Sequence, residues 1–262
     1  MSNPNNVNQI SRIFADQKAF IAFLTAGDPS LQKTEEFILA MAAAGADLIE
    51  IGIPFSDPIA EGPVIEAANE RALRAATTTD KIFAMVGRIR EKTAIPLVFL
   101  TYMNPIFVYG GERFFATCEE VGINGVIIPD LPYEEKGEIR ELAGGHGLDV
   151  ITLIAPTSQD RIQMLARDAT GFIYLVSSMG VTGVRSEIKT DLAAIVDDIR
   201  QVSKTPVAVG FGIATPEQAT AISKLADGVI VGSAIVRIIA EHGAAATPIL
   251  SDYVRTMKAA LV

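Results

Sequence analysis

Gly45-Ala-Asp-Leu-Ile-Glu-Ile51 combines a glycine that can end a helix, a short polar turn and the start of an apolar strand. A related order returns in Gly122-Ile-Asn-Gly-Val-Ile-Ile128 and in Leu225-Ala-Asp-Gly-Val-Ile-Val231. A helix end, a small turn and a buried strand are therefore repeated along the chain, as they are in folds built from parallel strands joined by helices.

Short apolar runs rich in Val, Ile and Phe mark eight candidate strands, and amphipathic stretches lie between them. Eight units in 262 residues average about 33 residues each, which is the size of a β/α unit. The sequence predicts an α/β fold, a (β/α)8 TIM barrel with an N-terminal helix and extended loops after strands 2 and 6, in a single domain over residues 1–262. A doubly wound open sheet is the alternative. The predicted strands are 20–25, 48–51, 97–101, 126–128, 150–154, 172–176, 207–210 and 229–231.

The chain is acidic, with 31 Asp and Glu residues against 22 Lys and Arg residues and a formal net charge of -9. This charge argues against nucleic acid or an anionic membrane as the main partner, since both require clustered basic residues. The first nine residues are polar, and no apolar run approaches the roughly 20 residues that span a bilayer, so we expect a cytoplasmic protein.

Cysteine and histidine are too scarce for several kinds of site. Cys118 is the sole cysteine and lies in a helix-like run, so we expect a core thiol and no disulfide framework. His146 and His242 lie far apart in polar or Gly-rich surroundings, and both are expected at the surface. These residues leave little for a metal site or a histidine-based catalytic triad.

The segment over residues 50–63 reads EIGIPFSDPIAEGP and places three carboxylates on an apolar run and the loop that leaves it. Glu50 lies within a predicted buried strand, where a carboxylate is costly unless it is paired or used in chemistry. A salt bridge at the strand end is the alternative. The long loops 54–63 and 177–189 both follow predicted strand ends, and in a barrel that face carries the active site.

Three glycine-containing segments follow strands 6, 7 and 8 in turn: Gly180-Val-Thr-Gly183, Gly210-Phe-Gly-Ile-Ala214 and Gly232-Ser-Ala-Ile-Val236. Glycine allows the backbone to approach an anion closely, and a helix that starts at Ser233 would direct free N–H groups toward it. Because barrels commonly bind phosphate after these strands, the order predicts a phosphate site.

Motifs over nearly the whole chain resemble those of the alpha subunit of tryptophan synthase. The motif after strand 2 is highly specific, whereas the glycine pairs occur in other phosphate-binding barrels as well. The motifs are Thr25-Ala-Gly-Asp-Pro29, Glu50-Ile-Gly-Ile-Pro-Phe-Ser-Asp-Pro58, Tyr102-Met-Asn-Pro105, Asp130-Leu-Pro132, Gly180-Val-Thr-Gly183, Gly210-Phe-Gly212 and Gly232-Ser-Ala-Ile-Val236.

The resemblance implies a retro-aldol cleavage of indole-3-glycerol phosphate to indole and glyceraldehyde 3-phosphate, with no cofactor on this chain. Glu50 would be the acid/base that handles the protons of indole C3 and of the glycerol hydroxyl, with a pKa raised toward neutrality by its apolar neighbours. Glu61 stands where the family usually has an Asp that accepts the indole N–H. Glu retains the acceptor but adds one methylene, and a solvated loop carboxylate is the alternative.

The resemblance also implies a substrate site with an apolar slot for the indole ring. Tyr174 would lie near the catalytic Glu50, although an ordinary half-buried core tyrosine is the alternative. Core packing would explain the apolar positions equally well. The implied substrate-binding residues are Phe23, Ile65, Leu100, Tyr102, Ile127, Tyr174, Thr182, Gly183, Phe211, Gly212, Gly232 and Ser233.

By the same resemblance, the chain would bind a beta subunit that carries pyridoxal phosphate (PLP), in an alpha2beta2 assembly, and pass indole to it. Pro54 and Asp57 on the loop after strand 2, with Asn104 and Phe107 on the next loop, would serve partner binding and loop coupling. Thr182 would be the partner of Asp57 in that coupling. An Asx-turn formed by Asp57 is the alternative.

Three other functions remain open at this point. Another phosphate-binding barrel enzyme, such as an isomerase or an indole-glycerol-phosphate-forming synthase, is one; the synthase would need a catalytic lysine on an early strand, and these strands carry none inside. A subunit that mainly activates its beta partner, with weak lyase activity of its own, is another. The third is a free-standing lyase.

Overall fold

The structure is a computed structural model that describes residues 9–177, 192–210 and 212–262. Within these ranges, twelve α-helices and nine strands are arranged along the chain. The strands are β1 Ala19–Thr25, β2 Leu48–Gly52, β3 Leu97–Leu100, β4 Gly125–Ile127, β5 Asp149–Val150, β6 Thr152–Ile154, β7 Ile173–Val176, β8 Val207–Gly210 and β9 Gly228–Val231. The helices are α1 Gln9–Arg12, α2 Leu31–Ala43, α3 Pro63–Arg74, α4 Thr79–Arg90, α5 Met103–Tyr109, α6 Gly111–Val121, α7 Lys136–Gly145, α8 Ile162–Arg167, α9 Leu192–Val202, α10 Pro216–Ser223, α11 Ser233–His242 and α12 Thr247–Ala259.

The strands form one parallel sheet in the order β5-β4-β3-β2-β1-β9-β8-β7-β6. Its two outermost strands, β5 and β6, are separated in the chain by Ile151 alone. The sheet therefore closes on a single barrel strand that is interrupted at Ile151, whose N–H still donates to the Val126 carbonyl (N···O 2.9 Å). The predicted barrel is confirmed, with its eight predicted strands in their expected places.

The repeated turns described above carry a polar side chain at equivalent positions, namely Asp47, Asn124 and Asp227. Each side chain accepts a hydrogen bond from the backbone N–H of the first or second residue of a neighbouring strand. We call these three bonds the strand latches. Because each latch joins two adjacent strands at one fixed residue, it defines their register. The bonds are Phe20 N–H to Asp47 Oδ2 (2.6 Å), Leu97 N–H to Asn124 Oδ1 (2.9 Å) and Val207 N–H to Asp227 Oδ2 (2.9 Å).

Side chains along each strand alternate between two apolar layers. On β2, Ile49 and Ile51 belong to the large core between the barrel wall and the helices. Leu48 belongs to a second cluster, inside the barrel, together with Val98 of β3. Because Glu50 is two residues from Leu48, its side chain faces the barrel interior as well.

Helix α1 and the turn after it close the N-terminal end of the barrel. Ile10 is buried and packs in the interior cluster with Ile13 and Phe14. Glycines at the starts of two strands provide the space: a Cβ on Gly125 would lie 3.1 Å from Ile10, and one on Gly228 would lie 2.9 Å from Phe14. The predicted N-terminal helix is confirmed, and four of its residues lie in the part of the chain that the structure describes.

The structure also tests the predictions for Cys118, the two histidines and the two long loops. Cys118 is buried and its thiol is free, as predicted, and His242 is exposed. His146 is more enclosed than expected, because its side chain is 17% exposed and contacts Glu119 and Glu112. The loop after strand 2 is present between β2 and α3, whereas loop 177–189 lies outside the described residues except for its first position. In the described ranges, no helix is long and apolar enough to cross a membrane.

Candidate active site

Glu50 lies in the middle of β2 with its side chain inside the barrel. Its residue is 1% exposed, and in the sheet it stands level with Phe23 on β1 and Val98 on β3. No described residue forms an ion pair with Glu50 or a hydrogen bond with its Oε2. The alternative of a salt-bridged strand-end glutamate is therefore wrong for the part of the chain described. A buried, unpaired carboxylate oxygen is costly for stability and is typical of a reactive group.

The surroundings of Glu50 make it a proton donor near neutral pH. Burial and, to a smaller extent, the charge of Glu61 together raise its pKa from 4.5 to about 8. An acid whose pKa lies close to the working pH can both give up and take back a proton during a reaction. The sequence-based expectation of a pKa raised by apolar surroundings agrees with this result.

Glu61 is held from one side by Asn69, eight residues further along the chain. Asn69 lies on α3, is 3% exposed and donates its Nδ2–H to Glu61 Oε2 at 2.6 Å. Burial raises the pKa of Glu61, hydrogen bonds from Asn69 and Tyr102 lower it, and the net pKa is about 7. Since α3 begins only two residues after Glu61, at Pro63, the helix fixes both partners of this bond. Glu61 is thus held in place, and the alternative of a freely solvated loop carboxylate does not describe it.

Tyr102 connects the loop after strand 2 with the loop after strand 3. Its residue is 1% exposed, its hydroxyl accepts the Ala60 N–H (3.2 Å), and its ring lies 5.3 Å from the ring of Phe55. Burial and the charge of Glu61 raise the pKa of Tyr102 to about 12. The phenol therefore remains protonated and can donate to Glu61 at any pH at which the site operates.

Tyr174, on β7, reaches across the barrel interior toward Glu50. It is buried, and the absence of a side chain on Gly210 makes room for it, because a Cβ there would lie 2.5 Å from the Tyr174 hydroxyl. Burial and the charge of Glu50 raise the pKa of Tyr174 well above its usual value. Tyr174 therefore lies within electrostatic range of Glu50, and its part in substrate binding stays a prediction.

Three of the residues predicted to enclose an aromatic ring come together at the top of β1. Phe23, Ile65 and Leu100 share one small apolar cluster beside the main core. Glycine leaves the space for Phe23 on both sides: a Cβ on Gly52 would lie 2.9 Å from its ring, and one on Gly232 would lie 3.2 Å away. Ile127 is buried in the barrel interior, in the cluster that also includes Leu100.

Only part of the predicted phosphate site can be placed. Gly232 precedes α11, whose N-terminus has no side-chain cap, and Ser233 is exposed at its first position. Gly212 has φ +80°, a backbone conformation that glycine adopts readily. Thr182, Gly183 and Phe211 lie outside the described residues, so the predictions for them stay predictions.

The residues predicted to contact a partner lie on the rim around this site. Asn104 is exposed and Phe107 is 81% exposed, both on α5, and the neighbouring Val108 is 76% exposed. Asp130 caps α5, since its two carboxylate oxygens accept the Met103 N–H at 3.0 and 3.2 Å. An exposed phenylalanine beside an exposed valine is unusual on a surface that faces only water.

The loop after strand 2 contributes the other predicted partner contacts. Pro54 is buried, so it supports the loop rather than offering a contact surface. Asp57 is exposed and accepts the hydroxyl of Ser56. Its predicted partner, Thr182, is outside the described residues. Ile59, two residues further on, is 78% exposed and was missed by the sequence analysis.

The fold defines a (β/α)8-barrel protein, and its candidate active site holds two carboxylic acids with raised pKa values, Glu50 in the middle of β2 and Glu61 on the loop after it. The model of one family, described as tryptophan synthase alpha chain, matches residues 12–261. The chain belongs to the tryptophan synthase alpha chain family, and membership implies a lyase of tryptophan biosynthesis.

Relatives and solved structures agree with this assignment over almost the full length. The tryptophan synthase alpha chain of Lactiplantibacillus plantarum is 52% identical over 256 residues, which are 97% of each chain. The tryptophan synthase a2b2 complex of Pyrococcus furiosus contains a chain that is 38% identical, with a TM-score of 0.84, covering 92% of this chain and 98% of that one. A chain of Mycobacterium tuberculosis tryptophan synthase has a TM-score of 0.87 at 30% identity, covering 100% of this chain and 99% of that one.

Proposed function

We propose that this chain cleaves indole-3-glycerol phosphate to indole and glyceraldehyde 3-phosphate by a retro-aldol reaction. The observation that carries the proposal is Glu50, a buried carboxylic acid inside the barrel with a pKa of about 8 and an oxygen that no described residue engages. The reaction needs a proton at indole C3 and the removal of one from the glycerol hydroxyl. One group that is protonated in part at neutral pH can perform both transfers.

Glu61 would provide the second function, as the acceptor for the indole N–H. Positive charge develops at the indole nitrogen when C3 is protonated, and a nearby carboxylate stabilises that charge. The hydrogen bond from Asn69 occupies one lone pair of Oε2, and an ionised carboxylate that also accepts from Tyr102 still has lone pairs with which to accept the indole N–H. The family's usual aspartate is one methylene shorter, so Asn69 also fixes the rotamer of the longer side chain.

Binding of the indole ring would fall to the apolar cluster around Phe23, Ile65 and Leu100, which lies on the strand next to Glu50 and on α3. Tyr174 would pack close to the reacting carbons. We propose that this chemistry uses no metal or organic cofactor on this chain, because proton transfer and charge stabilisation suffice for it. PLP would belong to the beta partner.

The partner would be a tryptophan synthase beta subunit in an alpha2beta2 assembly, as named for the Pyrococcus furiosus complex. The exposed apolar side chains Ile59, Phe107 and Val108 support this proposal, since they form part of the rim next to the site. A beta subunit seated there would receive indole directly. We also propose that residues 1–262 act as one domain in the cytoplasm.

Indole formation from indole-3-glycerol phosphate tests the proposal. Wild-type chain, Glu50→Gln and Glu61→Ala are each assayed alone and with a tryptophan synthase beta subunit. Glu50→Gln should lower indole formation by roughly 10²- to 10⁴-fold, the usual contribution of a general acid or base. Wild-type protein that forms no indole under either condition would contradict the proposal, and so would near-normal turnover by Glu50→Gln.

A further inference from the structure

Lys136 and Thr152 form a polar pair inside the otherwise apolar layer between α7 and the barrel wall. Lys136 opens α7 and is 9% exposed, Thr152 opens β6 and is 2% exposed, and the lysine Nζ donates to Thr152 Oγ1 at 2.5 Å. Val150 and Ile154, which share the outward strand face with Thr152, belong to the main apolar core. Aliphatic side chains of similar size would fill this layer without the cost of burying an amine, so packing does not explain the pair.

The ammonium group of Lys136 has no carboxylate within ion-pair distance among the described side chains. The carboxylate that acts on it electrostatically is that of Asp168, which already accepts the Tyr133 hydroxyl at 3.2 Å and faces Arg140 at 4.0 Å. Burial and then the charge of Arg140 lower the pKa of Lys136, Asp168 raises it, and the net pKa is about 8. At neutral pH the lysine is therefore mostly a buried cation whose nearest bonded partner is a neutral hydroxyl.

A cavity of about 100 Å³ adjoins this pair. One water needs about 10–15 Å³ on this measure, so the cavity has space for several waters or for a small organic molecule. Apart from the lysine, the threonine and Tyr133, its walls are largely aliphatic. They include Ile128, Leu131, Val150, Leu153 and Leu165.

We propose that this cavity binds a short-chain aliphatic monocarboxylate such as acetate or propionate. The carboxylate would accept hydrogen bonds from Lys136 Nζ and the Thr152 hydroxyl, and its alkyl group would pack on the aliphatic wall. The carboxylate of the ligand would be the negatively charged partner that Lys136 does not have among the described side chains. Inorganic phosphate fits less well, because its remaining oxygens would face aliphatic side chains without donors. The two polar groups of the site belong to the helix-facing side of β6, whereas Glu50 faces the barrel interior.

Ligand-observed NMR with 13C-labelled propionate tests this site in the full chain, at pH 7 and constant ionic strength. Wild-type protein should show saturable binding, and Lys136→Met should weaken it by about 10- to 100-fold. That range corresponds to the loss of a hydrogen bond to a charged group. Thr152→Val should weaken binding by less, and Thr152→Ser, the matched control, should retain it.

Thermal unfolding without ligand separates a binding site from a structural one. If Lys136 serves ligand binding, Lys136→Met should unfold at the same or a higher temperature than wild type, because methionine fills the space without desolvating an amine. No saturable propionate binding by wild type would overturn the proposal, as would unchanged affinity in Lys136→Met or equal affinity for chloride and phosphate. Should Lys136→Met fail to fold, the propionate affinities of Thr152→Val and Thr152→Ser are compared instead. Weaker binding by Thr152→Val supports the proposal, and equal affinities overturn it.

Discussion

Asn69→Ala is expected to disable Glu61 as an acceptor near neutral pH while leaving the barrel intact. The buried Asn69 amide donates to Glu61 Oε2 at 2.6 Å, and this hydrogen bond is the strongest of the influences that lower the pKa of Glu61. Without it, burial and the charge of Glu66 act with less opposition. The pKa of Glu61 should therefore rise above its value of about 7.

The size of the effect follows from the strength of the lost bond. A hydrogen bond to a charged group contributes about 1.5–3 kcal/mol, and one pKa unit corresponds to about 1.4 kcal/mol, so the rise is about one to two units. At pH 7.5, the ionised fraction of Glu61 would then fall from about three quarters to about one tenth for a rise of 1.5 units. If Glu61 must be ionised to stabilise the indole nitrogen, kcat/KM should fall at that pH by about threefold for a rise of one unit and by about 25-fold for a rise of two.

The measurement is the pH profile of kcat/KM for indole formation by wild type, Asn69→Ala and two control variants. Glu66→Gln should move the acidic limb to lower pH, because the charge of Glu66 raises the pKa of Glu61. Glu70→Gln, an exposed position on the same helix that pairs with Arg74, should leave the limb in place. An acidic limb that does not move in Asn69→Ala would refute the assignment of Glu61 as the ionised acceptor.

Three further predictions concern stability. Glu50→Gln should become increasingly more stable than wild type as the pH rises from about 4.5 to about 8, because folded wild type holds the proton on Glu50 more tightly than the unfolded chain does. Urea unfolding at several pH values measures the difference in the free energy of unfolding. A difference that does not change with pH would contradict the prediction. Arg71→Met should lower the free energy of unfolding by about 3 kcal/mol, as measured by urea unfolding, because it leaves the buried Asp28 carboxylate without its bidentate partner. Adding Asp28→Asn should recover part of this loss. An unchanged unfolding midpoint in Arg71→Met would contradict a stabilising role for the pair. Hydrogen bonds from His146 to Glu119 and Glu112 raise the pKa of His146, so its ion pairs should stabilise the fold below pH 6.5 and weaken as the pH rises through the folded pKa. An NMR titration that finds an unraised pKa would exclude this.

The barrel and its main catalytic candidate could be predicted because both depend on local sequence pattern. Each parallel strand is buried on both faces, so it appears as a short apolar run, and Glu50 stands out as the one carboxylate within such a run. The interruption at Ile151 could not be predicted, since the run from residue 150 to 154 is continuously compatible with a strand. The pairing of β5 with β4 and of β6 with β7 depends on how the barrel closes, which the sequence pattern does not show.

Asn69 was missed for a different reason. Its position in the sequence is ordinary for an amphipathic helix, and only the direction of α3 after Pro63 turns it toward Glu61. One sequence signal was available: Asn69 lies between Ala68 and Ala72 on the apolar side of the helix, where a buried amide requires a partner. Lys136 was missed similarly, because a lysine at the start of a helix normally points to solvent.

The three strand latches have a consequence for how this scaffold can change. Asp47, Asn124 and Asp227 bind at the start of the strands, whereas Glu50, Glu61 and the exposed rim lie toward the other end. The residues that fix the register of the strands are thus different from the residues that form the candidate active site. Loop variation above the chamber can alter reactivity while every inward-facing position stays inward, whereas a one-residue slip at a latch would turn a whole strand's inner face outward.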